Sequence, residues 1–401
     1  MTYQDPRNDC ASGVGSFKSS LSPLSGQYVP NRLNALYYGP DVVQKHLLSC
    51  LPTKVSKALI VTGSSLASKT PLIRGLQNLL TSKHHAGTFS GITAHSPQAQ
   101  VDEGTSLLVA DASIDTVISV GGGSPMDSAK GMIYYVHEAT GRWLLHVTIP
   151  TTLSAGECTP GAGYTRADGG KAVLIHPQLY PNYIFYDPKF ALYTPPQLFL
   201  STGIRALDHA VETQYHPSAT WCPTRIMALN AISELFRLLP RYAVDTKDEN
   251  VITALFLAAY GSLGFFGQNL AGGLGLSHSL GYALGSPYGI GHGITSCICL
   301  GRVVKFKGRQ SKENAEAIAS ILPYIGGQRS GDNLADCELV GDRILELVAE
   351  IGLNSTLTNE GVSKDQADVI CARATGLDAG VYTPEERQLY TSVKELIETL
   401  W

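Results

Sequence analysis

The chain has no apolar run approaching the roughly 18 residues that a membrane-crossing helix requires. Its opening, MTYQDPRNDC, lacks both the basic stretch and the apolar core of a secretory signal. Charge is sparse: 16% of residues are Asp, Glu, Lys or Arg, the net charge is −4, and no basic stripe is available to follow a nucleic-acid backbone or an anionic membrane surface. The eight cysteines are scattered and none forms a CxxC pair, as expected of a reduced cytoplasmic protein; Cys297 and Cys299, in TSCICLG, read as small buried hydrophobes. There is no repeat of solenoid length. A small-molecule substrate is therefore expected, with neither nucleic acid nor membrane as a partner.

A chain of 401 residues with 44% apolar content can bury a large core, and its pattern divides it. Residues 1–32, rich in Ser, Gly, Pro and Asn, read as a flexible or loosely attached arm. From 33 to 195 short apolar runs alternate with helical periodicity. KALIVTG, GTFSGIT, DTVISVGGGS and LLHVTIPTT are strand candidates, with helices at 71–82, 101–113 and 126–139 between them. That alternation predicts a parallel sheet covered by helices on both faces. GYTRADGGKAVLI reads as a polar hairpin turning at Asp168-Gly169-Gly170. Pro195-Pro196 marks a boundary, and periods near 3.6 dominate from 196 to 401, predicting an all-helical domain.

Two local patterns carry chemistry. Gly121-Gly122-Gly123-Ser124 lies directly after a strand and before a helix, where backbone N–H groups and the helix dipole can receive a pyrophosphate. A tight strand-to-helix turn explains the same residues equally well. Asp127 could cap the helix or orient the loop. The second pattern is Arg205 and His209, at i and i+4 in GIRALDHAVE, followed by His278 and His292, fourteen residues apart around a Gly-rich turn. An oxygen ligand at 205 would complete a four-ligand divalent site. A guanidinium, always cationic, has no lone pair to offer.

Eight blocks, in order and spacing, resemble the iron-containing alcohol dehydrogenases and their relatives the maleylacetate reductases between about residues 35 and 305. They are ALIVTG, FSGITAHSP, VGGGSPMDSAK, IPTT, GECTP, YPNYIFYDP, GIRALDHAVE and SHSLGYALGSPYGIGHG. The resemblance implies an α/β dinucleotide-binding domain followed by a helical domain, an NAD or NADP cofactor and, in relatives that are often dimeric, a possible homodimer. It implies cofactor roles for Gly121, Gly122, Gly123, Ser124, Thr151, Thr152 and Lys171. In metal-dependent members the position matching Arg205 is an Asp ligand, joined by histidines matching His209, His278 and His292; in maleylacetate reductases that Asp is typically Asn. Here it is Arg, Tyr282 stands where many relatives carry a further His, and Ser277 also departs from the pattern. At the end of the first strand Gly63 stands where many relatives carry an Asp that would bond the ribose 2′-hydroxyl; either Gly63, Ser64 and Ser65 leave space and donors for NADP, or Gly63 only closes the turn and both cofactors bind.

The expectation is a metal-independent, NAD(P)-dependent oxidoreductase moving hydride to or from a carbonyl or enone, with Arg205, His209, His278, Tyr282 and His292 as the catalytic set. Arg205 either meets substrate oxygen or pairs with Asp208 or Glu212 and only fills an abandoned site. His84, His85, His95, His137 and His146 are assigned surface or packing roles. The rival reading keeps the pocket for a non-redox step such as dehydration, cyclisation or isomerisation, with the same residues as acid–base groups.

Overall fold

A computed structural model describes residues 27–167, 170–377 and 383–401. Six strands form one all-parallel sheet in the order β1-β8-β5-β4-β2-β3: β1 (Ala35–Tyr38), β2 (Lys57–Gly63), β3 (His85–Ile92), β4 (Ile114–Gly121), β5 (Leu145–Pro150) and β8 (Tyr183–Tyr186). β6 (Gly161–Thr165) and β7 (Lys171–Ile175) make the expected antiparallel hairpin. Of its predicted turn, Asp168 and Gly169 lie outside the described residues.

The period-2 pattern of the strands divides their side chains between two layers. Ile60, Ile118, Val120 and Ile149 pack with Leu76 and Leu80 on one face, and Leu59, Val61 and Val117 with Leu108, Met132 and Val136 on the other. Helices Leu72–His84, Gln98–Ala110 and Gly123–Thr140 supply these partners, close to the spans that periodicity predicts. β1 and β8 were not predicted as strands. Each is four residues long and tyrosine-rich, and they are recognisable as strands only through their mutual pairing, Ala35 with Tyr183 to Tyr38 with Tyr186.

Beyond Tyr186 the described residues contain no strand. The helix Pro196–Gln214 is enclosed on all sides, and every residue from Phe199 to Gln214 is buried. The blocks carrying His278 and His292 form two further helices, Leu276–Tyr288 and His292–Gln310. The sequence reading took the segment between the two histidines as a turn; only Gly289–Gly291 leaves the helical path. The largest core joins Leu153, Ile184 and Tyr186 from the sheet side to Phe199, Leu207, Leu235 and Phe256 from the helices.

The described end of the N-terminal arm is attached. Val29 N–H donates to Asn269 Oδ1 at 2.9 Å, Asn269 Nδ2 returns a bond to Val29 O, and Tyr28 meets Phe265 edge-on.

Candidate active site

The C-terminal ends of β2, β3, β4 and β5 open toward the helical layer, the side on which open parallel sheets bind ligands. At the end of β4, Gly121 has φ +139°, a conformation that disfavours a side chain, and a Cβ there would meet Pro125 at 2.9 Å. Gly122 precedes the helix Gly123–Thr140 without a side-chain cap, and a Cβ on it would approach Thr152 Oγ1 to 3.2 Å. The helix N-terminus thus keeps donors for an anion in a cradle that a side chain would fill. β5 lies beside β4, and Thr151 N–H donates to Gly121 O at 2.8 Å. Thr152 is buried, with its hydroxyl 3.0 Å from that of Ser154.

Ser124 and Asp127 have structural partners. Ser124 Oγ accepts the His95 N–H at 3.1 Å, and Asp127 Oδ2 accepts the Gly163 N–H at 3.1 Å, which fits the loop-orienting role for Asp127. Gly63 ends β2 and Ser64, exposed, opens a six-residue helix, Ser64–Lys69. Lys171 opens β7, and its side chain lies outside what is described.

Across the cleft, Arg205, Asp208, His209 and Glu212 recur at i, i+3, i+4 and i+7 and so share one face of the Pro196–Gln214 helix. Buried charges require partners. Arg205 Nη1 lies 3.5 Å from Asp208 Oδ2 and 3.3 Å from Ser296 Oγ. Asp208 Oδ2 also accepts from Ser277 Oγ at 2.8 Å and Ser296 Oγ at 2.6 Å. His278 Nδ1 is 2.7 Å from Glu212 Oε2 and 3.5 Å from Asp208 Oδ1, so Glu212 is the hydrogen-bond acceptor and Asp208 acts on the ring mainly as a charge. Glu212 Oε1 accepts from the Ser277 N–H at 2.8 Å and from Tyr215 OH at 3.2 Å. Ser277 therefore serves both carboxylates, Asp208 through its hydroxyl and Glu212 through its backbone N–H.

Burial and Arg205 push the His278 imidazole toward neutrality, but Asp208 and Glu212 outweigh them and raise its pKa above the ordinary value. Asp208 is pushed up by burial but held below the usual carboxylate range by His278, Arg205 and Ser296. His209 is driven well below its ordinary pKa by burial, then by His278 and Arg205. The two rings lie 4.9 Å apart, and His209 Nδ1 and His278 Nε2 are buried without hydrogen-bond partners.

One turn before Ser296, His292 begins its helix. Its ring meets Tyr282 at 5.8 Å and His95 at 5.6 Å, both edge-on. His95, assigned a surface or packing role from sequence, is half-buried and packs its ring edge-on against His292. Neither Ser296 nor His95 carried a signal of its own in the sequence. Asp208 and Glu212 did, as acids on the Arg205 face of an apolar helix.

Comparison with known proteins gives the family. Residues 34–188 match the family model for iron-containing alcohol dehydrogenase, and residues 199–401 match the C-terminal model of the Fe-containing alcohol dehydrogenase family. The chain belongs to the iron-containing alcohol dehydrogenase family. Among its relatives, Dehydrogenase FUM7 of Gibberella moniliformis is 27% identical over 370 residues, covering 80% of this chain and 85% of the relative. Dehydrogenase ALT3 of Alternaria alternata is 29% identical over 367 residues, covering 79% and 92%. The structure of maleylacetate reductase from Rhizobium sp. strain MTP-10005 superposes with a TM-score of 0.74 at 22% identity, covering 95% of this chain and 99% of that one, and supports the fold.

Membership in an iron-containing family raises the question of metal. Asp208, Glu212 and His278 bring potential ligand atoms within 4.8 Å of one another. Part of this set is engaged: His278 Nδ1 points at Glu212, and Asp208 Oδ2 receives two hydroxyls and the guanidinium, while Asp208 Oδ1 and His278 Nε2 are buried without hydrogen-bond partners. The cations Arg205 and His278 balance the two carboxylates, and a divalent ion would add uncompensated charge beside Arg205. The charge that weighs against a metal here is Arg205, a permanent cation with no lone pair, 3.5 Å from Asp208.

Proposed function

We propose that this family member is a metal-independent NAD(P)-dependent reductase or dehydrogenase acting on a carbonyl or conjugated enone, in the manner suggested by its similarity to maleylacetate reductases and dehydrogenases. The observation that carries the reading is the buried Arg205–Asp208–Ser277–Glu212–His278 network in a chain whose β4-to-helix junction is a glycine turn suited to a dinucleotide. The nicotinamide, when bound, supplies or accepts the hydride. The Gly121–Gly123 turn and Thr152 hold the pyrophosphate, and Gly63 and Ser64 leave space for a 2′-phosphate, favouring NADP. Arg205 offers positive charge and hydrogen bonds to the substrate oxygen. His278, held protonated by Glu212 and Asp208, presents Nε2 as the proton donor that completes the alcohol once hydride reaches carbon. His209 stays neutral and packs against it, while Tyr282 and His292 wall the mouth. The dehydratase, cyclase or isomerase alternative is not favoured by the kinship with dehydrogenases and reductases.

The test combines elemental analysis, NADPH and NADH titration by fluorescence, and hydride consumption over a panel of carbonyls and enones with and without chelator. We expect far less than one metal per chain, cofactor binding, and chelator-insensitive turnover. Gly122→Asp sets a carboxylate against the pyrophosphate and should abolish cofactor binding. Stoichiometric metal with chelator-sensitive activity would overturn the metal-independent reading, and absence of cofactor binding would overturn the redox reading.

A further inference from the structure

Lys130 lies on the helix that the glycine turn opens, and its side chain is fully buried. Nζ donates to three main-chain carbonyls, Gly156 O at 2.6 Å, Thr159 O at 2.6 Å and Gly161 O at 2.8 Å, with Thr159 Oγ1 further off at 3.3 Å. Three close acceptors match the three donors of an ammonium; a neutral amine would turn its lone pair on one of them. Burial pushes the Lys130 pKa below its ordinary value, and Asp127, then Glu157, push it back. A buried charge is tolerated only when its hydrogen-bonding capacity is filled, which the three carbonyls do here.

The carbonyls belong to residues 156–161, which follow β5 and enter β6. This loop rests on the first turn of the helix. A Cβ on Gly156 would stand 3.4 Å from Gly123 Cα and 3.8 Å from Met126 Cβ. The start of the segment is held without the lysine: Thr151 N–H donates to Gly121 O at 2.8 Å, and Leu153 N–H donates at 3.0 Å to Thr202 Oγ1 on the Arg205 helix. Glu157, inside the loop, accepts the Tyr186 hydroxyl at 2.8 Å, and Ala155 and Cys158 pack with Leu263 of the helical half. The ammonium gathers the remaining carbonyls and ties them to the helix of the glycine turn.

We infer that Lys130 is a positioning residue for the dinucleotide: without touching the cofactor, it seats the 156–161 loop against Gly123 and so fixes one wall of the pyrophosphate cradle. The inference rests on the nucleotide-binding reading of the glycine turn. Without the ammonium, three buried carbonyls are left in need of donors. The N–H groups at the helix start, which the pyrophosphate requires, adjoin Gly156. The loss therefore appears in cofactor affinity. Hydride transfer within the filled site is spared, because residues 151–153 tie the turn to the Arg205 helix independently of the lysine.

The experiment titrates NADPH and NADH against the wild type, Lys130→Met, Gly156→Val and Arg142→Met. It also measures melting temperature, and kcat and KM at saturating cofactor for the panel carbonyl that the wild type turns over fastest. Lys130→Met removes the clamp, and Gly156→Val pushes the loop off the turn while leaving the lysine in place. Arg142 is the control for a purely structural role, since it also donates to main-chain carbonyls, those of Leu108, Ala112 and Ile114, but beyond the far end of the same helix. The expected result is a cofactor dissociation constant raised about tenfold or more in Lys130→Met and Gly156→Val, with kcat and carbonyl KM within about twofold of the wild type. Arg142→Met should lower the melting temperature and leave cofactor affinity unchanged. Three outcomes overturn the inference: wild-type affinity in a folded Lys130→Met, a fall in saturated kcat in place of the affinity loss, or an equal affinity loss in Arg142→Met. Should Lys130→Met fail to fold, Gly156→Val decides alone, and wild-type affinity there overturns the inference. Failure of the underlying redox reading is distinguishable, because the wild type itself would then bind neither nucleotide.

Discussion

Arg205 is a buried cation held among polar partners. Asp208 and Ser296 receive the guanidinium, and Ser277 links Asp208 to Glu212. Arg205→Ala should cost about 2–4 kcal/mol of transition-state stabilisation if the group meets substrate oxygen. It also leaves two buried carboxylates facing one imidazole, so stability should fall by a few kcal/mol. Arg205→Met combined with Asp208→Asn removes both charges and separates the two effects. Urea unfolding should show stability largely recovered while kcat/KM stays low; recovery of turnover would make Arg205 a filler rather than a functional group. Arg205→Asp places a carboxylate beside His209 and His278, and elemental analysis should then find zinc or iron that the parent does not take up.

At the scale of elements, the Leu276–Tyr288 helix explains how bulky polar groups fit a closed interior. A Cβ at Gly281 would lie 3.2 Å from Arg205 Nη1, and one at Gly285 would lie 2.8 Å from His292 Cε1. Both glycines weaken the helix by roughly 1 kcal/mol relative to alanine, and both make room for a site residue. Gly281→Ala needs both the guanidinium and the Thr295 hydroxyl, each 3.2 Å from the new Cβ, to give by a few tenths of an ångström, so the propensity gain should offset the crowding: a melting temperature little changed, with reduced kcat/KM. Gly285→Ala forces the His292 ring aside at an overpacking cost of about 1–3 kcal/mol, so both melting temperature and activity should drop. Unaltered kinetics in both variants would remove these contacts from the site.

For the whole molecule, acid sensitivity follows from histidines buried as neutral rings. His146 on β5 contacts Ser119 through Nε2 at 2.9 Å, and burial, then Lys130, push its pKa down to about 3. Below the ordinary histidine value the unfolded chain binds a proton that the folded chain refuses, so stability is present near neutrality and lost as pH falls. For this group the loss between pH 7 and pH 5 is about 2 kcal/mol. Urea unfolding of His146→Gln should show a shallower decline over that window by about this amount; identical pH slopes would mean that the ring is protonated in the native protein.

Much of this protein was legible in the order of its residues. Continuous apolar runs ending in glycine mark β2 and β4, because a strand buried on both faces has no polar side to alternate. The helical periods after Pro196 mark the second half, and eight blocks in order, GIRALDHAVE and SHSLGYALGSPYGIGHG among them, pointed to the family that the two family models match. Tertiary structure decided the rest. β1 and β8 hold their strands by pairing with each other, an interaction between segments some 150 positions apart that leaves no local trace. The Leu276–Tyr288 segment is helical despite its glycines, because the groups they admit belong to other elements. The partners of Arg205 and the placement of His95 against His292 depend on packing between the two halves of the chain, which periodicity and composition do not encode.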